Sequence, residues 1–210
     1  MASRSTAKPK LGNPKGTGEN EYTGEPRQDV WLQGKKVYLR LLEEIDLPLL
    51  VKWRNDPKNW QQFFNRWPLS QISQKSWFQS LLDNPARKFF MVCLADGRAV
   101  GTFSFDHIDT INLSLEVGNV MIGEHTHKGL ASDALLLLVN FAFAQLNMHR
   151  LYLEVWAGNL SAIGLYRKFG FQLEGVARQA RYSDGHYRDI ANMGLLRSDW
   201  LALQKEGKPG

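Results

Sequence analysis

The amino-acid sequence predicts an α/β domain: one mixed sheet with helices on both faces. Three observations carry this. Residues 88–109 read as a strand, an Asp-Gly turn and a second strand. A strongly apolar helix follows, from about Gly129 to Gln145. Strand-like and helix-like stretches then alternate to the C-terminus, as expected for a sheet covered on both sides. With 210 residues and 43% hydrophobic content, the chain can bury one sizeable core.

The elements can be justified in order. Residues 1–29 are rich in Lys, Pro, Gly, Ser and Thr and nearly lack large apolar residues, so burial cannot offset their ordering entropy. They read as a disordered tail, with residues 30–210 as the folded domain. "KKVYLRLL" alternates, placing Val37, Leu39 and Leu41 on one face of a strand and Lys36, Tyr38 and Arg40 on the other. A helix follows, with Asp46 as its cap and Pro48 in its first turn, and ends before Pro57. The aromatic-rich stretch to Asn84 reads as two short helical pieces. "LSLEVGNVMIG" is a strand with Gly118 inside it, the mark of a bulge or a close backbone approach. After the long helix, "HRLYLEVW" is a strand. "SAIGLYRKFG" is a short helix capped by Ser161, striped by Ala162, Leu165 and Phe169, and stopped by Gly170. Two strands joined at Ser183, Asp184 and Gly185 finish the chain.

Charge and cysteine content narrow the function classes. The formal net charge is +5, but Arg4, Lys8, Lys10 and Lys15 put +4 of it in the first 18 residues. The remainder holds 22 basic against 21 acidic residues. A near-neutral body argues against nucleic acid as a partner. No apolar run approaches the roughly 20 residues that a membrane-spanning helix needs, and the tail lacks the apolar stretch of a secretory signal. The lone Cys93 lies in an apolar strand pattern and fits a reducing, cytoplasmic setting. An organelle transit peptide stays open, because the first residues contain Ser and Arg and no acid.

"GEHTHKGLASDALLLL" poses the chemical question. His125 and His127 are two residues apart and could share a metal, but no nearby Cys or His completes a ligand set. The other reading is an anion held at the start of a helix, where several N–H groups lack partners and the dipole is positive. Gly129, Ala131 and Ser132 leave room for a phosphate, and Lys128 adds charge. Taken alone, this segment balances the anion reading against an ordinary strand–loop–helix connection.

Further motifs shift the balance. "LEVGNVMIGEHTHKGLASDAL", "FAFAQLNMHRLYLEVWAGNLSAIGLYRKFGFQLEG" and "DGHYRDIANMGLL" occur in order. In this combination the sequence resembles the GCN5-related N-acetyltransferases (GNAT). The nearest subgroup contains ribosomal-protein-alanine, spermidine and amino-sugar-nucleotide acetyltransferases. The resemblance spans roughly Lys36 to Trp200. It implies a single-domain fold with a mostly antiparallel sheet of about seven strands flanked by helices, and acetyl-CoA as cosubstrate without a metal. It implies that Asn119, Val120 and Met121 pair with the pantetheine amides. Thr126, His127, Lys128, Gly129, Leu130 and Ala131 would cradle the pyrophosphate, with Thr126 standing where Arg or Gln is usual. Asn159 would bond the pantetheine region beside Ser161, and Lys168 joins the cofactor-binding set. Tyr166 would give a proton to the leaving thiolate, against the plainer reading of a helix-stripe aromatic. Glu116 would take the proton of the acceptor amine, directly or through a water, against the plainer reading of a surface strand carboxylate.

The resemblance also implies an acceptor site built from the helices after the first strand. There, Pro57 to Leu82 contains no Asp or Glu, but has Lys58, Arg66 and Lys75 among Trp60, Phe63, Phe64, Trp67, Trp77 and Phe78. Most of the tryptophans read as core. A polyamine wants carboxylates, so this stretch suits an amino-sugar nucleotide or a peptide amino terminus. Glu43, Glu44 and Asp46 could still serve a polyamine if they turned inward. The expected partners are therefore a small-molecule amine or a peptide N-terminus, with no nucleic acid and no membrane, and a homodimer as the assembly to test. A polyamine acetyltransferase and a non-catalytic acyl-CoA-binding module are the alternatives.

Overall fold

The structure, a computed structural model, describes residues 30–60, 63, 67–124 and 128–207. The expected tail disorder and the roles expected for His125, Thr126 and His127 lie outside these residues. Eight strands form one sheet in the order β1-β2-β3-β4-β5-β6-β8-β7. The strands are β1 (Leu32–Gln33), β2 (Tyr38–Leu41), β3 (Lys88–Cys93), β4 (Ala99–Asp109), β5 (Ser114–Ile122), β6 (Arg150–Trp156), β7 (Gln172–Ser183) and β8 (His186–Leu196). The helices are α1 (Leu47–Asn55), α2 (Pro57–Trp60), α3 (Gln71–Leu82), α4 (Leu130–Ala144), α5 (Leu160–Lys168) and α6 (Arg197–Lys205). Every neighbouring strand pair is antiparallel except β5–β6. A parallel pair requires a crossover, and α4 provides it.

The sheet separates two apolar clusters. On one side β2–β6 and β8 pack against α4, α5 and α6 through Leu135, Leu138, Phe143, Phe169 and Trp200. On the other side, Tyr38, Phe89, Met91 and Cys93 pack against α1 and α3 through Leu50, Trp53 and Phe78. Cys93 is fully buried. Among the described residues, no helix is long and apolar enough to cross a membrane.

Several expectations are corrected. The polar-looking face of β2 is buried, with Tyr38 at 5% and Arg40 at 1% exposure, while Leu41 is half exposed. This strand is covered on both faces, so its alternation does not mark solvent. Asp46 heads α1 but makes no side-chain cap bond to it. Its carboxylate instead takes Nη1 and Nη2 of Arg40 at 2.6 and 2.7 Å, and the Glu43 amide at 3.0 Å. Ser161 is not the cap of α5; Asn159 is, its Oδ1 accepting from the Ala162 amide at 3.1 Å. The second helical piece before Asn84, α3, is 12 residues long and capped by Ser70. Trp67 is 84% exposed rather than core. The chain ends in α6, not a strand, and α6 docks on α4 through Trp200, which stacks on Phe143 and donates to Asn140.

The Arg40–Asp46 pair is sealed from water, so removing one partner leaves a bare buried charge. Arg40→Met is expected to lower unfolding free energy by about 3–5 kcal/mol. Urea unfolding checks this, and a loss below about 1 kcal/mol would show that water reaches the pair.

Candidate active site

Strand β5 pairs with β4 along most of its length but with β6 only at Ser114↔Arg150, Leu115↔Leu151 and Glu116↔Tyr152. Beyond Glu116 the two parallel strands have no further paired residues. This splay opens a wedge whose β5 side is Val117 to Ile122, where backbone polar groups lose a ladder partner. A bulge interrupts the β4–β5 register here: Thr102 faces Met121, and Ser104 faces Gly118. Asn119 takes up the extra residue with φ +48, a conformation that Asn tolerates better than most side chains.

A buried polar network holds the bulge. Asn119 Nδ2 donates to Ser104 Oγ at 2.9 Å and to Asp106 Oδ2 at 3.2 Å. Thr102 Oγ1 donates to the Asn119 carbonyl at 3.0 Å. Asp106 also accepts from Ser104 Oγ and from Arg87 Nε. A Cβ at Gly118 would lie 2.6 Å from Asp106 Oδ2, so the glycine permits the close approach read from its position in the strand. The Asn119 carbonyl is thus partly engaged, with one lone pair left for a ligand.

The start of α4 is described from Lys128 onward. Gly129 is its N-cap with φ +86 and makes no side-chain cap bond, so the first-turn amides lack that partner. Leu130 is buried and anchors the turn, while Ala131 is half-buried and small. Lys36, which sequence reading assigned only to a strand face, is also present. Its Nζ donates to the Lys128 carbonyl at 2.9 Å and lies 2.9 Å from where a Gly129 Cβ would sit. Asp133 staples the β1–β2 turn to this helix by accepting from the Lys36 and Val37 amides at 2.6 and 3.0 Å. Among the described residues, no group of three His, Cys, Asp or Glu could hold a metal.

The two expected proton carriers occupy opposite faces of the sheet. Tyr166 on α5 belongs to the cluster that contains Leu115 and Val117. It is 5% exposed, and burial pushes its phenol up to about 12. Glu116 points to the other face by strand alternation. Its carboxyl is raised above the usual range by burial, an effect opposed by the His107 Nδ1 contact at 2.8 Å. Lys168 is exposed in the last turn of α5, with its ammonium 6.0 Å from the Phe169 ring centroid.

A cavity of about 230 Å³ opens beside the bulge, walled by Asn119, Met121 and Thr102 and by Arg54, Gln74, Trp77 and Arg87. Among the described residues, no carboxylate lines it. The three upstream acids do not turn inward: Asp46 is committed to Arg40, Glu44 pairs with Lys75 at 2.7 Å on the surface, and Glu43 is exposed. Of the aromatics singled out in sequence, Trp77 lines the cavity and Phe63 stacks under Arg54 at 3.9 Å.

This geometry has counterparts. The sequence profile of the Acetyltransferase (GNAT) domain matches residues 36–172. The chain is 28% identical over 174 residues to the N-acetyltransferase p20 of Bacillus licheniformis, covering 80% of this chain and 97% of that one. It is 30% identical over 171 residues to spermidine N(1)-acetyltransferase of Escherichia coli, covering 80% of this chain and 90% of that one. In three dimensions it resembles spermidine N-acetyltransferase of Vibrio cholerae, solved with CoA and spermine. That match has a TM-score of 0.74 at 27% identity and covers 79% of this chain and 98% of that one.

The chain belongs to the GNAT acetyltransferase family. It is an acyltransferase that acts on amines, with acetyl-CoA as its acetyl donor. Its residues fit that donor: the wedge offers unpaired strand backbone, and the glycine start of α4 offers free amides with two lysines beside them. Bulk in that cradle would obstruct phosphate. In this acetyltransferase, Gly129→Val is expected to weaken CoA binding by about 1–3 kcal/mol. Calorimetry on the folded variant tests this, and unchanged affinity would remove the α4 start from the site.

Proposed function

We propose that this acetyltransferase moves the acetyl group of acetyl-CoA directly onto a primary amine, either on an amino-sugar nucleotide or at a peptide amino terminus. One observation carries the acceptor reading: among the described residues, the cavity that meets β5 at Asn119 and Met121 is lined by two arginines and no carboxylate. The donor's thioester reaches the wedge from the α4 side, and the amine comes from the cavity side. Asn119, Val120 and Met121 supply strand backbone to the pantetheine. Lys128, Gly129, Leu130 and Ala131 supply the phosphate cradle, and Thr126 and His127 are assigned to it from sequence. Asn159, Ser161 and Lys168 complete the cofactor set; the Asn159 Oδ1 caps α5, which leaves its Nδ2 as the donor to pantetheine.

The proton steps follow from the two environments. A primary amine with a pKa of about 10.4 costs about 4–5 kcal/mol to deprotonate at neutral pH. Glu116 accepts that proton, and its raised pKa makes it a stronger base than an exposed carboxylate. As the new C–N bond forms and the C–S bond breaks, Tyr166 donates its proton to the departing thiolate. Its upward shift keeps the phenol fully protonated at neutral pH. The enzyme is placed in the cytoplasm, in keeping with a single, buried, unpaired Cys93. Self-association, with a homodimer as the simplest state, is supported by edge strand β7, where Leu173 and Val176 are 51% and 45% exposed. A Vibrio cholerae relative has been solved as a dodecamer.

A second reading has its own support. The relatives named for spermidine acetylation favour a polyamine acceptor over the two above. An amine panel separates the readings. Preference for amino-sugar nucleotides or peptides is expected. A kcat/KM of about 10⁴ M⁻¹s⁻¹ or more for spermidine, with those substrates inert, establishes the polyamine reading instead.

Two variants test the chemistry. Tyr166→Phe keeps the ring and removes the proton, so turnover is expected to fall about 10²–10⁴-fold with CoA affinity unchanged. Near-wild-type turnover in single-turnover kinetics rejects the acid role. Glu116 works only as a carboxylate and its pKa is raised. Activity is therefore expected to be lost as pH falls through a value above the usual carboxylate range. Glu116→Gln is expected to abolish this limb of the kcat/KM profile, and a limb that survives the substitution assigns it to another group.

A further inference from the structure

Asp106 has no place in the chemistry described so far, yet it is buried at 7% exposure behind the cavity wall. It does not line the cavity, but two of its partners do. Arg87 pairs with Oδ1 through Nε, and Asn119 reaches Oδ2 through Nδ2. Ser104 closes on the same oxygen, and Gly118 lets β5 approach it. A carboxylate so surrounded cannot move without disturbing the bulge, so whatever it pins is held in a fixed pose.

The pinned group of interest is Arg87. A guanidinium offers five N–H donors in a rigid fork that matches carboxylates and phosphates. The pair with Asp106 uses the Nε donor, and among the described residues no hydrogen bond engages the two terminal nitrogens. The side chain is one-third exposed and reaches the cavity. Because Asp106 neutralises its charge, Arg87 contributes directed donors more than long-range attraction. Such a group distinguishes a correctly placed anionic substituent from any amine that merely fits the space.

We infer that Arg87 is a specificity-determining residue that binds an anionic group, a carboxylate or phosphate, on the acceptor amine, and that Asp106 is the positioning residue that aims it. This rests on the amine-acetyltransferase reading with an anionic acceptor, and it names which side chain reads the anion.

The test uses two primary amines of one skeleton, one bearing a carboxylate or phosphate and the other its neutral amide, with the full-length enzyme and saturating acetyl-CoA. The readout is the ratio of their kcat/KM values. The wild type is expected to favour the anionic amine. Arg87→Met is expected to cut that ratio roughly 10- to 100-fold, the range for a lost hydrogen bond to a charged group, mainly through acceptor KM. Activity on the neutral amine is expected to fall less than activity on the anionic amine, so the ratio reports the anion contact. Asp106→Asn is expected to lower the ratio in the same direction. Because Arg87→Met strands a buried carboxylate, the double variant Arg87→Met/Asp106→Asn removes both charges and provides the comparison if the single variant unfolds. A purely structural role would depress both amines equally, and that result overturns the assignment. A wild-type ratio above one that neither the single nor the double variant changes overturns it too. A wild-type ratio at or below one overturns the anionic-acceptor reading itself, and the Arg87 assignment with it.

Discussion

Strand β5 cannot satisfy both of its neighbours along its whole length. Because α4 carries the chain over the sheet, β6 returns parallel to β5, and the two pair over only three residue pairs. Toward α4 they diverge. Nearly everything assigned to the site borders that divergence. The bulge at Asn119 lies on its β5 side, the α4 start at the end of β5, and Asn159 just past the end of β6. A sheet that closed there would pair those backbone groups with each other and leave none for a ligand.

The splay also bears on how the two proposed proton carriers, on opposite faces, could serve one reaction. Successive residues of β5 alternate, so Val117 joins the core that contains Tyr166 while Glu116 faces the acceptor side. Within an intact sheet they would be separated by paired backbone. Pairing stops just beyond Glu116, which would let a substrate approach from either face. Burial raises both groups, with opposite meaning. In the proposed roles, it would secure the proton that Tyr166 gives and strengthen the hold of Glu116 on the proton it takes.

Local patterns were legible in the sequence; long-range pairings were not. Gly97 and Gly129 have positive φ, and Gly118 sits where a side chain would strike Asp106. These positions announce themselves, because few other residues fit such backbone. The Asn159 cap was misassigned to Ser161 because both are good capping residues two positions apart, and the choice depends on where β6 ends. Arg40 shares a face with Lys36 and Tyr38 in the alternating octapeptide, and nothing in that alternation shows that helices cover both faces. Lys36 reaches Lys128 across 92 positions, and Arg87 reaches Asp106 across 19. No periodicity connects such residues, so the lysine beside the proposed phosphate cradle and the cavity's pinned arginine emerge only from the folded chain.

The carboxylates near the acceptor cavity bear on how this chain can differ from relatives named for spermidine. A polyamine leaving water needs negative partners for each ammonium. The acids nearest in sequence to the acceptor helices are spent elsewhere. Asp46 sits under α1 holding Arg40, where releasing it would expose a buried cation, and Glu44 is drawn outward by Lys75. Asp106 lies close to the cavity but is covered by Arg87, Ser104 and Asn119, so its charge is cancelled before it reaches the lumen. Glu116 stays available, but a carboxylate proposed to accept a proton is poorly suited to be the standing counter-ion of a polycation. A fold shared across most of the chain therefore does not fix the acceptor. The proposed preference for an anionic acceptor rests on where a few carboxylates are committed, and here Asp46, Glu44 and Asp106 are paired with Arg40, Lys75 and Arg87.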